Sequence, residues 1–141
     1  DSNIDFGATS ITAPSDERMK EDVSDDTAGL GFINDLRPVT FKWKQKKDIP
    51  VELKSHEAGS IERFKNEYTN HGFIAQEVKT AIDNHPEIKD GFKMWSQDYR
   101  EDEDGNAIAD GRQRVAPAEL IPILVKAIQE LSAKVTALEN A

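Results

Sequence analysis

A seven-residue repeat of large apolar side chains near the C-terminal end limits the folds open to this chain. Two interleaved series recur at that spacing: Ile121, Ile128 and Val135, and Leu124, Leu131 and Leu138. Placed at positions a and d of a heptad, these residues form the seam of a coiled coil. The repeat covers only about two and a half heptads, too few to define a coiled coil alone. We therefore expect a helix over 117–139, with Pro122 in its first turn, that buries its seam by self-association.

Composition restricts the rest of the chain to one small, surface-rich domain. The 141 residues are 37% hydrophobic and 32% charged, a balance typical of a domain that oligomerises. The formal net charge of −9 argues against a nucleic-acid partner, and no apolar run approaches the length of a membrane span. The absence of cysteine excludes disulfides and thiol chemistry. Because the chain begins with Asp1 and not Met, we expect it to be a piece of a longer protein.

The apolar patterns before the heptads predict an α+β domain with short antiparallel strands. Residues 39–44 alternate as in a strand with one wet face, and the helical spacing over 30–36 ends before Pro38. The apolar stretch 71–75 leads into a helix over 76–82 that Pro86 closes. Residues 95–99 and 107–115 flank Asp104-Gly105, a strong hairpin signal.

Two polar regions lie outside these elements. Residues 45–70 carry only scattered apolar side chains, so we read them as a protruding hairpin or arm, which either grips a partner or is an exposed insertion. Residues 1–14 are small, polar and β-branched, as in the end of an extended β structure. We therefore divide the chain into a leader, 1–14, and a domain, 15–141.

Ordinary metal and catalytic motifs are absent from the sequence. The acidic run at Asp102 fails as a calcium loop, because a Gly105 at the invariant position would put Gly111 where the bidentate acid belongs. The three histidines share no metal-ligand spacing, so we expect no metal and no cofactor. His71 can act as a base, although a half-buried packing role is the commoner one for such a residue.

A hydroxyl and an amine lie five residues apart where the leader meets the domain. A serine beside a lysine is a minimal nucleophile and base, which makes Ser15 and Lys20 candidates for self-cleavage. The alternative is that Ser15 or Asp16 merely caps a short helix, with Lys20 on the surface. On an ideal helix the two side chains point about 140° apart, so they meet only if Ser15 lies outside the helix or Lys20 serves another protomer.

Three blocks of sequence together resemble one known family. They are Ser15-Asp16-x-Arg18-x-Lys20 with Leu36-Arg37-Pro38-Val39 and Phe41-Lys42-Trp43, then His71-Gly72-Phe73-Ile74-Ala75-Gln76-Glu77-Val78, and last the stretch from Leu120 to Leu131 with its heptad tail. In this order they resemble the self-cleaving C-terminal intramolecular chaperone of phage tail spikes and fibres. Endosialidase tail spikes, neck appendages, L-shaped tail fibres and myelin regulatory factor carry such a domain. The resemblance extends over residues 15–138.

The resemblance implies an intramolecular chaperone that trimerises and registers an upstream phage fibre or spike and then releases itself. It implies a homotrimer, although Ile and Val at a with Leu at d favour two strands. The enzyme class implied is an autocatalytic serine endopeptidase with a single turnover and no cofactor. The chaperone would be made in the host cytoplasm during virion assembly and released there, while the fibre goes to the virion tail.

The same resemblance assigns roles to residues at the boundary. Ser15 is the nucleophile, and Lys20 is the base once assembly buries its amine. Backbone N–H groups of the following helix hold the oxyanion. Family members are cut after the serine, which here is the bond Ser15–Asp16. A hydroxyl that attacks the carbonyl of its own residue needs a four-membered ring, however. The bond Pro14–Ser15 therefore remains an alternative cleavage site. The candidates for supporting residues are Arg18, His71, Gln76 and Glu77.

Two other functions remain as alternatives. The first is a structural trimerisation or capping module that does not cut, in which Ser15 is only a helix cap. The second is an acidic adaptor that binds partner helices through the C-terminal stripe, which accounts for the heptads but not for the other blocks.

Overall fold

A computed structural model of the protein describes residues 12–99, 101–106 and 109–141. The predicted leader therefore falls largely outside the described residues, as do Arg100, Ala107 and Ile108. The regular elements, in chain order, are α1 (Leu30–Asn34), β1 (Val39–Phe41), β2 (Asn70–Gly72), α2 (Ala75–Asp83), β3 (Trp95–Gln97), β4 (Gln113–Val115) and α3 (Ile121–Glu139). Three single 3₁₀ turns, Glu17–Met19, Lys46–Asp48 and Pro117–Leu120, complete them.

The core forms where α1 packs against the first half of α3. Phe32 of α1 is fully buried, and Leu120 and Ile123 join it in one cluster from the α3 side, while Ala127 is buried further along α3. Burial of one such side chain contributes about 1.5–3 kcal/mol. Val78 and Ala81 of α2, with Ala28 and Met94, complete the cluster.

The start of α1 is capped from α3. The backbone N–H of Leu30 donates to Oε1 of Glu130 over 3.1 Å. A Cβ on Gly29 would lie 1.8 Å from that oxygen, so only glycine allows the approach. Since Gly29 is itself buried, this contact fixes the chain between residue 28 and α1 to the C-terminal helix.

Strands β1 and β2 form a two-stranded antiparallel ladder in which Val39 pairs with Gly72 and Phe41 with Asn70. The ladder is shorter than the predicted strand over 39–44, although the alternation of half-buried and exposed side chains continues to residue 44. Beyond Phe41 the chain turns to pack Trp43 between Phe41 and Phe64. The carbonyl of Trp43 then accepts from Nη1 of Arg63 over 2.7 Å instead of from a strand.

The predicted polar arm, 45–70, is the long connection between β1 and β2. Its base is closed by an isolated antiparallel bridge between Gln45 and Arg63 and by backbone bonds from Lys46 N to Glu62 O and from Phe64 N to Lys44 O. The arm is thus a long hairpin, as expected, whose ends are held by main-chain hydrogen bonds.

Strands β3 and β4 pair antiparallel with Trp95 opposite Val115, which confirms the second hairpin. The turn predicted at Asp104-Gly105 is also confirmed. Gly105 has a φ of +82°, and its N–H donates to Asp102 O over 3.0 Å. Helix α2 packs on this hairpin, which brings Val78 and Ala81 to the core.

The architecture confirms an α+β domain with short antiparallel strands and a C-terminal helix. Pro122 lies at the start of α3, where a missing N–H costs little. Across the described ranges no helix combines the length and apolar character that crossing a membrane requires. The same ranges contain no cluster of acidic or histidine side chains suited to a metal ion.

Candidate functional site

Ser15 and Lys20 are brought together by a single 3₁₀ turn. Asp16, at the N-cap, is extended with φ −72° and ψ 131°, and the 3₁₀ turn over Glu17–Met19 follows it. The N–H of Lys20 donates to Glu17 O over 3.1 Å and ends the turn. Nζ of Lys20 donates to Oγ of Ser15 over 2.6 Å. Ser15 lies outside the helix, which is the condition under which the two side chains can meet.

The cap of this turn is Asp16 and not Ser15. Oδ1 of Asp16 accepts from Arg18 N over 2.9 Å and from Arg18 Nε over 3.1 Å, while Oδ2 accepts from Nη2 over 2.8 Å. These hydrogen bonds lower the pKa of the Asp16 carboxyl, and the same pair raises the pKa of Arg18. Arg18 and Asp16 therefore form a fork (the Asp16–Arg18 fork below), and the serine hydroxyl is left to Lys20.

In the single chain this segment is open to solvent. Every residue from 12 to 27 is exposed, and the first buried residue after it is Ala28. The contact between Ser15 and Lys20 is therefore formed but open to water in one chain.

The other predicted supporting residues lie away from this turn. His71 is exposed in β2 opposite Thr40, so its expected half-buried packing role is wrong: a two-stranded ladder leaves one face in water. Gln76 is exposed, and its backbone carbonyl accepts from Oγ1 of Thr80. Among the described residues, no hydrogen bond or ion pair joins His71, Gln76 or Glu77 to the turn at Ser15.

Glu77 has a different partner, which the sequence patterns did not reveal. Both its carboxylate oxygens accept from Arg37, at 2.9 Å from Nε and 2.6 Å from Nη2. The bidentate bond lowers the pKa of Glu77 and raises that of Arg37. This bond joins Arg37, just before Pro38, to the first turn of α2, forty positions along the chain. The sequence block around Pro38 and the block that begins α2 therefore form one structural unit.

His85 is a second bridge that was missed. Nε2 lies 2.5 Å from Oδ2 of Asp35, and Nδ1 lies 2.8 Å from Oε2 of Glu87. Hydrogen bonds to Asp35 and then to Glu87 raise the pKa of His85. Its ring stands edge-on to Phe32 at 5.5 Å, so the imidazole joins the ends of α1 and α2 to the core.

The heptad seam is left uncovered by its own domain. Ile123 and Ala127 face the core, whereas Ile128 is 66% and Leu138 is 76% exposed. The full set of predicted seam residues is exposed: Ile121, Leu124, Ile128, Leu131, Val135 and Leu138. From residue 131 to residue 141 every side chain is exposed. Helix α3 thus has one stripe in the domain core and a second apolar stripe in water.

A cleft of about 820 Å³ between the arm and the β3–β4 hairpin does not contain the candidate dyad. Its charged lining residues are largely paired, Lys46 with Glu57 and Arg112 with Asp98. We therefore place the candidate site at the turn of residues 15–20 and not in this cleft.

A comparison with protein families assigns the chain to one of them. The model of the family Peptidase_S74, chaperone of endosialidase, matches residues 15–85, half of the chain. The chain belongs to this family. No curated protein matches it closely enough to be compared.

The match to the chaperone of endosialidase family begins at Ser15 and ends at His85. It therefore includes Ser15 and Lys20, the Asp16–Arg18 fork, the pair of Arg37 with Glu77 and the arm. The family name assigns the chain to chaperones with a peptidase-type role. Helix α3 lies outside the matched range, although Glu130 ties it to the start of α1.

Proposed function

We propose that this chain is the self-cleaving chaperone of an upstream tail fibre or spike, which it trimerises, registers and then leaves. The observation that carries the proposal is the 2.6 Å contact between Nζ of Lys20 and Oγ of Ser15 at the first matched residue of a peptidase family. A nucleophile and a base within hydrogen-bond reach are the minimal equipment for cutting a peptide bond.

The chemistry runs through an ester. The neutral amine of Lys20 takes the proton of the Ser15 hydroxyl as Oγ forms a bond to a backbone carbonyl carbon. The peptide nitrogen leaves with that proton, and an ester to Oγ remains. Water then hydrolyses the ester to a carboxylate and restores the hydroxyl.

Two bonds are compatible with this step. Within one chain, Oγ reaches the Pro14 carbonyl in a five-membered ring, which cuts Pro14–Ser15. Oγ of a neighbouring protomer reaches the carbonyl of Ser15 itself, which cuts Ser15–Asp16. The two routes leave new fragments that begin with Ser15 and Asp16 respectively, so their masses differ by one residue.

In this proposal, trimerisation excludes water from Ser15 and Lys20. The exposed seam of α3 gives three copies an apolar surface to bury, and burial favours the neutral form of a lysine. Cutting then waits for assembly, because a solvated ammonium cannot act as a base. After release the fibre lacks its folding template, so its persistence is kinetic.

The proposal is tested by intact-mass spectrometry on the 141-residue chain, extended upstream into its natural fibre, with Ser15→Ala and Lys20→Ala beside it. We expect two fragments from the wild type, with the junction beside Ser15, and one full-length mass from each variant. Sedimentation should give a three-chain mass for the two uncut variants, since neither substitution touches the seam.

A competing function is a trimerisation module that does not cut, and the solvent exposure of Ser15 and Lys20 in the single chain favours it. An intact wild type that forms trimers would establish that module and reduce Ser15 to a hydrogen-bond partner of a surface lysine. An intact monomer would point to the acidic adaptor.

A further inference from the structure

Lys20 is surrounded in sequence by acids yet is bonded to a serine. Asp16, Glu17, Glu21 and Asp22 all lie within four residues of it. Among the described residues, however, Lys20 forms no ion pair, and its amine contacts Oγ of Ser15. A carboxylate at hydrogen-bond distance would favour the ammonium form and so disable a base.

Asp16 lies at the spacing where this chain pairs cations with carboxylates elsewhere. Lys79 and Asp83 are four residues apart and meet at 2.5 Å, and Arg63 and Glu67 meet at 3.2 Å with the same separation. Asp16 and Lys20 share that separation, and among the described residues they form no ion pair. For this pair the structure supplies a cause.

The cause is visible in the Asp16–Arg18 fork. Both carboxylate oxygens of Asp16 are occupied, Oδ2 by Nη2 of Arg18 and Oδ1 by the backbone N–H and Nε of the same residue. A fork of two parallel N–H···O bonds holds a carboxylate in a fixed direction better than a single flexible ammonium can. The carboxylate of Asp16 is therefore bonded to Arg18 and not to Lys20.

We propose that Arg18 is a positioning residue, which holds the Asp16 carboxylate away from Lys20 and leaves the Lys20 amine to Ser15. This inference rests on the proposed cutting function but adds a role for the fork. Arg18 touches neither the scissile bond nor the amine; it acts by removing a competitor. Glu17, Glu21 and Asp22 are the remaining acids near Lys20, and none of them pairs with it in the described part of the chain.

The test is the pH dependence of cutting in four proteins: wild type, Arg18→Ala, Asp16→Asn and the double variant. In Arg18→Ala the freed carboxylate competes for Lys20, so the rate at pH 7 should fall roughly threefold to tenfold and the midpoint of the pH–rate profile should rise by about half a unit to one unit. Asn at position 16 keeps the N-cap without the charge. Asp16→Asn should therefore keep the wild-type midpoint, and the double variant should return to it.

Arg37→Ala is the matched control, because it removes a bidentate arginine fork away from the turn, and its midpoint should stay at the wild-type value. A midpoint in Arg18→Ala equal to that of the wild type would overturn the inference. So would a rate loss that is equal at every pH and is not rescued by Asp16→Asn, since that pattern belongs to a purely structural fork.

A second readout separates this inference from the proposed function. In the uncut Ser15→Ala background, an NMR titration of the lysine side chains follows the Lys20 amine directly. Arg18→Ala should move its titration midpoint to higher pH, and Asp16→Asn should reverse the movement. If the wild type is never cut but this movement occurs, the cutting function fails while the shielding by Arg18 stands; if the movement is absent, the inference fails whatever the cleavage result.

Discussion

The amine of Lys20 donates to the hydroxyl of Ser15 across a single 3₁₀ turn, with 2.6 Å between Nζ and Oγ. Because the turn alone closes this distance, the contact exists in the single chain. In the proposed trimer, the other two chains would therefore add exclusion of water and not a new alignment of these two groups.

Lys20→Arg should abolish cutting while leaving assembly intact. A guanidinium can still donate to Oγ, but it does not give up its proton, so general-base catalysis, worth about 10²–10⁴-fold, is lost. The extent of cutting is read from intact masses over time. Lys134→Arg on exposed α3 is the control and should cut at the wild-type rate. Cutting by Lys20→Arg within a few-fold of wild type would exclude Lys20 as the base.

Ile128→Asp should prevent association without unfolding the domain. Ile128 is 66% exposed, so a charge there costs a single chain little, whereas three carboxylates facing one another in a seam cost several kcal/mol. Sedimentation equilibrium in the uncut Ser15→Ala background should drop from a three-chain to a one-chain mass. Gln129→Asp adds the same charge beside the seam and should stay trimeric. A trimeric Ile128→Asp would show that α3 is not the assembly surface.

Gly29→Ala should destabilise the domain through the cap on α1. The new Cβ would lie 1.8 Å from Oε1 of Glu130, so the carboxylate must withdraw from the Leu30 N–H. Loss of that bond to a half-buried backbone N–H should cost about 1 kcal/mol of unfolding free energy, measured in urea titrations. Gly29→Ala and Glu130→Ala remove the same interaction, so their double variant should lose less than the sum. Strict additivity would contradict the shared contact.

His85 should make the domain more stable at mildly acidic pH. Its pKa is raised by Asp35 and Glu87, so the protonated ring is favoured in the folded state. That contribution is complete below the unfolded value of about 6.5 and disappears as pH rises through the raised folded value. The difference in unfolding free energy between wild type and His85→Gln should therefore be largest near about pH 5.5 and shrink above about pH 6.5. His71→Gln, at an exposed site, serves as the comparison and should change stability little at either pH. A difference that grows with pH would refute the assignment.

Local patterns in the sequence were sufficient for the elements that depend on neighbours along the chain. The end of α1 before Pro38, the position of Pro122 in α3 and the turn at Gly105 follow from backbone restrictions on single residues. The apolar spacing likewise predicted α2, which begins one residue earlier and ends one residue later than expected. The distance condition for Ser15 and Lys20 was also derivable, because a five-residue separation leaves few ways for the side chains to meet.

Contacts between distant parts of the chain were not derivable. The bridge from Glu130 to Leu30 spans a hundred positions, and Arg37 and Glu77 are forty apart. Nothing in a single sequence says which of many charged residues will face each other once helices and strands pack. The same limit explains why β1 ends at Phe41, earlier than predicted. The alternation of side chains continues to residue 44, but Trp43 packs on Phe64 and the ladder is not extended.

From Leu131 onward every side chain of α3 is exposed in the described structure. A helical stretch of this length without tertiary support is marginal in water. In the proposed trimer its order would be set by mass action, so that dilution alone would loosen it. Chains that emerge side by side from one polysome meet at a local concentration far above that of the surrounding fluid. Under the proposed function, the end of α3 would therefore become ordered only where three newly made chains lie close together.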